Sequence, residues 1–111
     1  MMYVITYNEI IGCHKWEQAT GRYSYLSKKH RHVFKIRCWF SVTDDNREIE
    51  INEKQYEIEN GIKNDFEFSD ELGVQFGNMS CEMICRYIID KYGCTGCEVL
   101  EDGFGGSIVW N

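Results

Sequence analysis

The segment formed by residues 32–43 constrains the fold of this chain more than any other feature. For part of its length its side chains alternate between two faces, one holding Phe34, Ile36 and Cys38 and the other holding Lys35 and Arg37. Successive side chains of a β-strand point to opposite sides, so this alternation is typical of a strand with one buried face. The segment therefore predicts a sheet whose apolar side lies against a core.

The other elements are predicted from local patterns. Residues 2–11 are rich in β-branched and aromatic side chains and predict a strand, whereas the polar residues 12–29 predict a loop. Helical spacing begins near Asn52, which is a suitable N-cap, and Ser80 is the cap expected for a second helix over residues 81–92. Gly93 stands where a helix-ending glycine belongs, and residues 97–110 predict a hairpin. Residues 65–79 show no clear periodicity and predict a connection.

The resulting order is β-β-α-α-β-β within a single domain that spans residues 1–111. Two helices can cover one face of a four-stranded antiparallel sheet. We therefore expect an α+β domain with two layers.

Charge limits the class of partner. The formal net charge is -6, which argues against a nucleic-acid backbone as the main ligand, because phosphate contacts need surplus Lys and Arg. Six basic side chains nevertheless gather around the histidines: Arg22, Lys28, Lys29, Arg31, Lys35 and Arg37. A local positive field on an acidic chain favours a small anionic ligand, bound here by Arg31, Lys35 and Arg37.

Targeting signals are not visible in the sequence. No run of about 18 apolar residues is present, and residues 1–11 lack the basic start and long apolar stretch of a signal peptide. We therefore expect no membrane partner, a cytoplasmic protein, and six reduced cysteines in place of a disulfide framework. Cys94 and Cys97 have a spacing used in redox and zinc sites, with burial as small apolar side chains as the alternative.

The three histidines are the candidate functional residues. His30 and His32 open the most secure strand, and residues i and i+2 of a strand point to the same side. His14 follows the first strand, which lies beside the second in a hairpin. Three converging imidazoles make a catalytic type of zinc site with one open position. The alternative is a set of surface or hydrogen-bonded histidines.

These features resemble the 6-pyruvoyl-tetrahydropterin and 6-carboxytetrahydropterin synthases. The resemblance covers nearly the whole chain, though distantly. Residues 13–15 (Cys-His-Lys) resemble that family's first zinc-histidine motif, and residues 29–36 resemble its His-Gly-His strand. Residues 80–82 (Ser-Cys-Glu) resemble the start of its second helix, and residues 99–101 its last hairpin.

The resemblance implies a T-fold, in which trimers close into barrels and usually stack in pairs. It implies zinc held by His14, His30 and His32, and a pterin-like ring gripped by Glu101 beside Ser80 and Cys81. Trp16 and Tyr25 are candidates to stack on such a ring, with core or interface packing as the alternative.

The chain also departs from this family. The family's catalytic Cys before the His-x-His is missing from residues 25–29, and residues 63–79 contain no relay His. Arg31 replaces the glycine between the two histidines. Without a nucleophile and a proton relay, the expected function is binding without turnover.

Three functions follow. The first is a homo-oligomer, a trimer or hexamer, that binds a purine- or pterin-like nucleotide and sequesters it as a signal, as phage counter-defence proteins do; a phage-encoded chain would then act in the host cytoplasm. The second is a zinc-dependent tetrahydropterin synthase or lyase with rearranged catalytic groups. The third is an interaction module that uses the fold alone.

Overall fold

A computed structural model describes residues 1–111 and has an α+β architecture. A six-stranded mixed sheet packs against two α-helices, and a short 3₁₀ helix precedes the second strand. The strands are β1 (Met2–His14), β2 (His30–Val42), β3 (Phe68–Ser69), β4 (Gly73–Gly77), β5 (Gly96–Glu101) and β6 (Gly105–Trp110). The helices are the 3₁₀ helix (Gly21–Ser27), α1 (Ile51–Asp65) and α2 (Cys81–Tyr92).

The two long strands β1 and β2 form the centre of the sheet. They pair in antiparallel register from Met2 opposite Val42 to His14 opposite His30. The predicted loop over residues 12–29 is therefore wrong at its start, because residues 12–14 continue β1, and the 3₁₀ helix lies within it. A Cβ at Gly12 would lie 2.8 Å from the Val74 carbonyl oxygen, so this position lets β4 approach closely.

The prediction of a four-stranded antiparallel sheet is wrong. The strand order is β3-β4-β1-β2-β5-β6, and β4 pairs with β1 in parallel, with Gly12 opposite Val74. The two additional strands come from residues 65–79. Strands of two and five residues are too short to display a recognisable period, and Val74 and Phe76 are buried through tertiary contacts instead.

The helix boundaries follow from their caps. The Glu50 side chain caps α1 by accepting from the backbone N–H groups of Asn52 and Glu53, so the prediction of Asn52 as the N-cap is wrong by two residues. Ser80 caps α2 as predicted, and its Oγ accepts from Met83 N–H at 3.2 Å. Gly93 ends α2 with φ +70°, a left-handed conformation that favours glycine. Neither α1 nor α2 is long and apolar enough to cross a membrane.

Both α-helices lie on one face of the sheet. Both helices contribute to one buried cluster, α1 through Ile58 and Ile62 and α2 through Ile84 and Ile88. From β2 the cluster contains the even-numbered side chains between Phe34 and Phe40. The opposite face carries no helix and exposes a row of large apolar side chains, Ile5, Tyr7, Ile11, Ile108 and Trp110. We call this second surface the open face.

Candidate metal centre and adjoining cavity

Two strands bring the three histidines together at one end of the helix-covered face, and a third strand adds Glu101. His14 ends β1 and lies directly opposite His30, which begins β2, while His32 is two residues further along β2. Glu101 ends β5 and lies opposite Phe34, so its side chain points to the same face as His32. The sheet register therefore places all four side chains in one group. The convergence predicted for the three histidines is confirmed, and Glu101 joins them.

The four side chains form a compact set of donors. One ligand atom from each of His14, His30, His32 and Glu101 lies within 4.8 Å of every other. Glu101 Oε2 is 2.7 Å from His14 Nε2, and Glu101 Oε1 is 3.7 Å from His32 Nε2. These residues can hold a metal ion.

Each imidazole is oriented by an acceptor on its other nitrogen. His14 Nδ1 lies 2.9 Å from the Met79 carbonyl oxygen, and His30 Nδ1 lies 2.9 Å from that of Lys28. A carbonyl oxygen can only accept, so Nδ1 carries the hydrogen in both rings. A ring with its hydrogen on Nδ1 alone presents an Nε2 lone pair to the group. Such partners on the second ring nitrogen are usual for histidines that bind metals.

The surroundings of His14 Nε2 show whether the donor group suits a cation. The atom is buried and makes no hydrogen bond, although Glu101 Oε2 is only 2.7 Å away. With the ring hydrogen on Nδ1, a bare Nε2 and a carboxylate oxygen are both acceptors, so they repel each other at this distance. A metal ion bound to both atoms would turn this repulsion into attraction. The donor set therefore fits a cation.

Asp102 orients the third imidazole. Its Oδ2 lies 2.7 Å from His32 Nδ1, and its Oδ1 accepts from Val33 N–H at 2.8 Å. These two hydrogen bonds, the backbone one first, hold the pKa of Asp102 below its usual value. Asp102 therefore stays ionised and fixes both the ring of His32 and the turn after β5.

A cavity of about 770 Å³ opens beside the donor group. Five of the predicted ligand-binding residues line it: Trp16, Tyr25, Ser80, Cys81 and Glu101. Desolvation, with the nearby Glu101 carboxylate adding to it, raises the pKa of Cys81 to about 12. The thiol of Cys81 is therefore protonated at neutral pH and faces Glu101 at 3.9 Å.

Three other predicted ligand-binding residues lie away from the cavity. Arg31, Lys35 and Arg37 alternate along β2 with His30, His32 and the buried side chains, so they point to the opposite side of the sheet. Arg37 lies 3.3 Å from Glu98 there. Clustering in the sequence therefore does not place these charges at the site, because β-strand geometry separates neighbours. Lys15 lines the cavity instead.

Glu82 and Ser107 are among the polar cavity residues that sequence reasoning missed. Glu82, in the first turn of α2, accepts a hydrogen bond from the hydroxyl of Ser107 in β6. Both residues line the cavity. The only sequence signal was the position of Glu82 next to Ser80 and Cys81, and nothing linked it to Ser107, which is 25 residues away.

No model of a known protein family matches this chain, and no curated protein matches it.

Proposed function

We propose that this protein binds a purine- or pterin-like heterocycle, carried on a nucleotide, in the cavity beside a four-ligand zinc centre and does not convert it. The observation that carries this proposal is the position of Glu101. Its carboxylate faces His14 and His32 at 2.7 and 3.7 Å, so it belongs to the donor group.

Zinc is the metal we propose for this group. Three imidazoles and one carboxylate are nitrogen and oxygen donors that suit Zn²⁺, which prefers four ligands in a tetrahedral arrangement. With Glu101 as the fourth donor, the protein supplies a full set and leaves no position for water or substrate. Closed sites of this kind are structural, whereas catalytic zinc sites keep one position open.

The cavity lining supports a flat, nitrogen-rich ligand. Trp16 and Tyr25 offer aromatic surfaces on which a ring can stack. The carboxylate of Glu82 can accept two parallel hydrogen bonds from an amidine-like edge, the pattern that purines and pterins present. With Glu101 engaged by the histidines, Glu82 takes the role of reading this edge. Lys15 adds a positive charge at the cavity for phosphate.

We propose a homo-oligomer in which further copies of the chain cover the open face. The open face exposes an apolar group that includes Ile5, Ile108 and Trp110, and contiguous surfaces of this kind mark interaction sites. Arg37 and Glu98 on the same face pair with each other at 3.3 Å, so neither leaves an unpaired charge beneath a covering copy. A homo-oligomer of this type would hold several ligands and withdraw a nucleotide signal from solution.

A zinc-dependent enzyme similar to tetrahydropterin synthases is the second candidate. One observation favours it: the Glu101 side chain is 34% exposed and is farther from His32 than from His14. Release of this carboxylate would leave three histidines around the metal. Zinc bound by three protein ligands lowers the pKa of its bound water and polarises a substrate carbonyl.

The test combines metal analysis, native mass spectrometry and turnover of dihydroneopterin triphosphate. We expect one zinc per chain, retention of a nucleotide that is recovered unchanged, and no product. His32→Ala should lose the metal, whereas Asp70→Asn, an exposed change, should keep it. Product formation by the wild-type protein that disappears in His32→Ala would establish the enzyme and refute binding without turnover. A chain that retains neither metal nor nucleotide would refute both.

A further inference from the structure

Four of the six cysteines lie between α2 and the sheet, away from the metal centre. They are Cys38 on β2, Cys85 on α2, Cys94 in the link after α2 and Cys97 on β5, and each is 0% exposed. None forms a disulfide. The proposed function does not use these thiols.

The sheet register places two of them directly opposite each other. Cys38 pairs with Cys97 in the antiparallel ladder of β2 and β5. Further along the same two strands, the backbone N–H of Asp102 donates to the carbonyl oxygen of Val33, so Val33 and Asp102 are a hydrogen-bonded pair. Pair types alternate along an antiparallel ladder, so the Cys38–Cys97 pair is non-hydrogen-bonded. Cα atoms in such pairs are about 4.5 Å apart, within the range of about 4.4–6.8 Å that disulfides span.

The surroundings of Cys38 favour its thiolate. Interactions with the thiols of Cys94 and then Cys97 lower the pKa of Cys38, and they outweigh the burial that raises it. The hydroxyl of Thr6, opposite Cys38 on β1, also faces the Cys38 sulfur. That hydroxyl is fully buried and has no hydrogen-bond partner, so a thiolate at Cys38 would supply the acceptor it lacks.

We propose that Cys38 and Cys97 are an oxidation site at which a small peroxide forms an intramolecular disulfide between β2 and β5. The Cys38 thiolate attacks one peroxide oxygen, the O–O bond breaks, and Cys38 becomes a sulfenic acid as hydroxide leaves. The Cys97 sulfur then attacks the sulfenic sulfur, the S–O bond breaks, and water leaves once the thiol proton is transferred. The oxidant is small because the pair is fully buried.

A metal site is the competing use of these thiols. The group of side chains that could hold a metal ion is His14, His30, His32 and Glu101, and the thiols are not part of it. The direct cross-strand pairing of Cys38 and Cys97 suits a disulfide. The bond would lock the register of β2 against β5, the two strands that carry His32 and Glu101. The proposal does not depend on any ligand of the cavity.

The first test is a peptide map of the full-length protein. The reduced protein is treated with hydrogen peroxide, alkylated and digested with trypsin without reduction. Cleavage after Arg37 and Arg47 isolates Cys38 in residues 38–47, while Cys94 and Cys97 share residues 92–111. We expect these two peptides to become linked and the count of free thiols to fall by two. Peptides that stay unlinked would overturn the proposal.

Variants assign the partner. Cys97→Ala should abolish the link, whereas Cys94→Ala and the matched control Cys13→Ala should retain it. A link that survives in Cys97→Ala and disappears in Cys94→Ala would contradict the register argument.

A second test needs no substitution. The oxidised form of the wild-type protein should unfold at a higher urea concentration than the reduced form. An unchanged or lower midpoint would contradict a disulfide that fits the folded sheet. Thiol protection that requires added zinc and is reversed by a chelator would identify a metal site and refute the disulfide.

Discussion

His14 Nε2 lies 2.7 Å from Glu101 Oε2 without a hydrogen bond between them. The hydrogen of the His14 ring is on Nδ1, held by the Met79 carbonyl, so two acceptors face each other in a nearly buried position. A cation between these atoms satisfies both. This relationship changes the role of Glu101 from a ligand-binding carboxylate to a member of the donor group.

Asp102→Asn should weaken zinc binding roughly 10–100-fold, because partners on the second ring nitrogen tune metal affinity by that amount. An asparagine can still accept from Val33 N–H, while the charge beside His32 Nδ1 is removed. Chelator competition measures the affinity, and Asp70→Asn is the matched surface control. Equal zinc affinity in Asp102→Asn and wild type would show that Asp102 serves the turn alone.

Glu82→Gln should weaken nucleotide binding about 10–100-fold and leave zinc binding unchanged. A hydrogen bond to a charged group contributes about 1.5–3 kcal/mol, which corresponds to that range of affinity. Ser107 bonds this carboxylate, so Ser107→Ala is a companion variant with a smaller expected effect. Titration calorimetry with purine nucleotides measures both. Loss of zinc in Glu82→Gln would mean that the cavity and the metal centre cannot be separated in this way.

Glu50→Ala should lower the free energy of unfolding by about 1 kcal/mol, because it removes the N-cap of α1. Asn52→Ala should change it by no more than about 0.5 kcal/mol, since Asn52 is a surface position inside the helix. Urea denaturation of the two variants compares them directly. A larger loss of unfolding free energy in Asn52→Ala than in Glu50→Ala would identify Asn52 as the cap.

Asp65→Asn should reduce the dependence of the free energy of unfolding on pH under acidic conditions. Hydrogen bonds from Lys91 and then Tyr87 hold the pKa of Asp65 below its usual value in the folded protein. The stabilisation is therefore complete above the unfolded pKa of about 3.9 and is lost as the pH falls through the lower folded value. The difference between the urea midpoints at neutral and at acidic pH should be smaller in the variant than in wild type. A difference between wild type and variant that persists unchanged at the most acidic pH would contradict this linkage.

Ile108→Asp should dissociate the proposed homo-oligomer without unfolding the chain. Ile108 is 49% exposed on the open face, so the charge is costly only where another copy covers it. Light scattering after gel filtration measures the mass, and circular dichroism checks the fold. Glu71→Gln, at an exposed turn between β3 and β4, is the control. A wild-type protein that already elutes as a monomer would refute the oligomer.

Local patterns predicted the elements whose signals lie within one segment. The alternation around Phe34, Ile36 and Cys38 predicted β2, and Ser80 and Gly93 predicted the two ends of α2. Strand periodicity alone also put His30 and His32 on one face. These results need only nearest-neighbour backbone geometry, which repeats every two residues in a strand and every 3.6 residues in a helix.

Tertiary structure decided whatever depends on register and on packing between distant segments. The parallel addition of β4 to β1 has no local signal, because its short run is held by burial of Val74 and Phe76. The placement of Glu101 beside His14 depends on β1, β2 and β5 being in register across 87 residues of chain. The sequence by itself determined which side chains can bind a metal and which strand face they share. Only the folded sheet decided that Glu101 joins them, since hydrogen-bonded register and side-chain direction are set by three strands acting together.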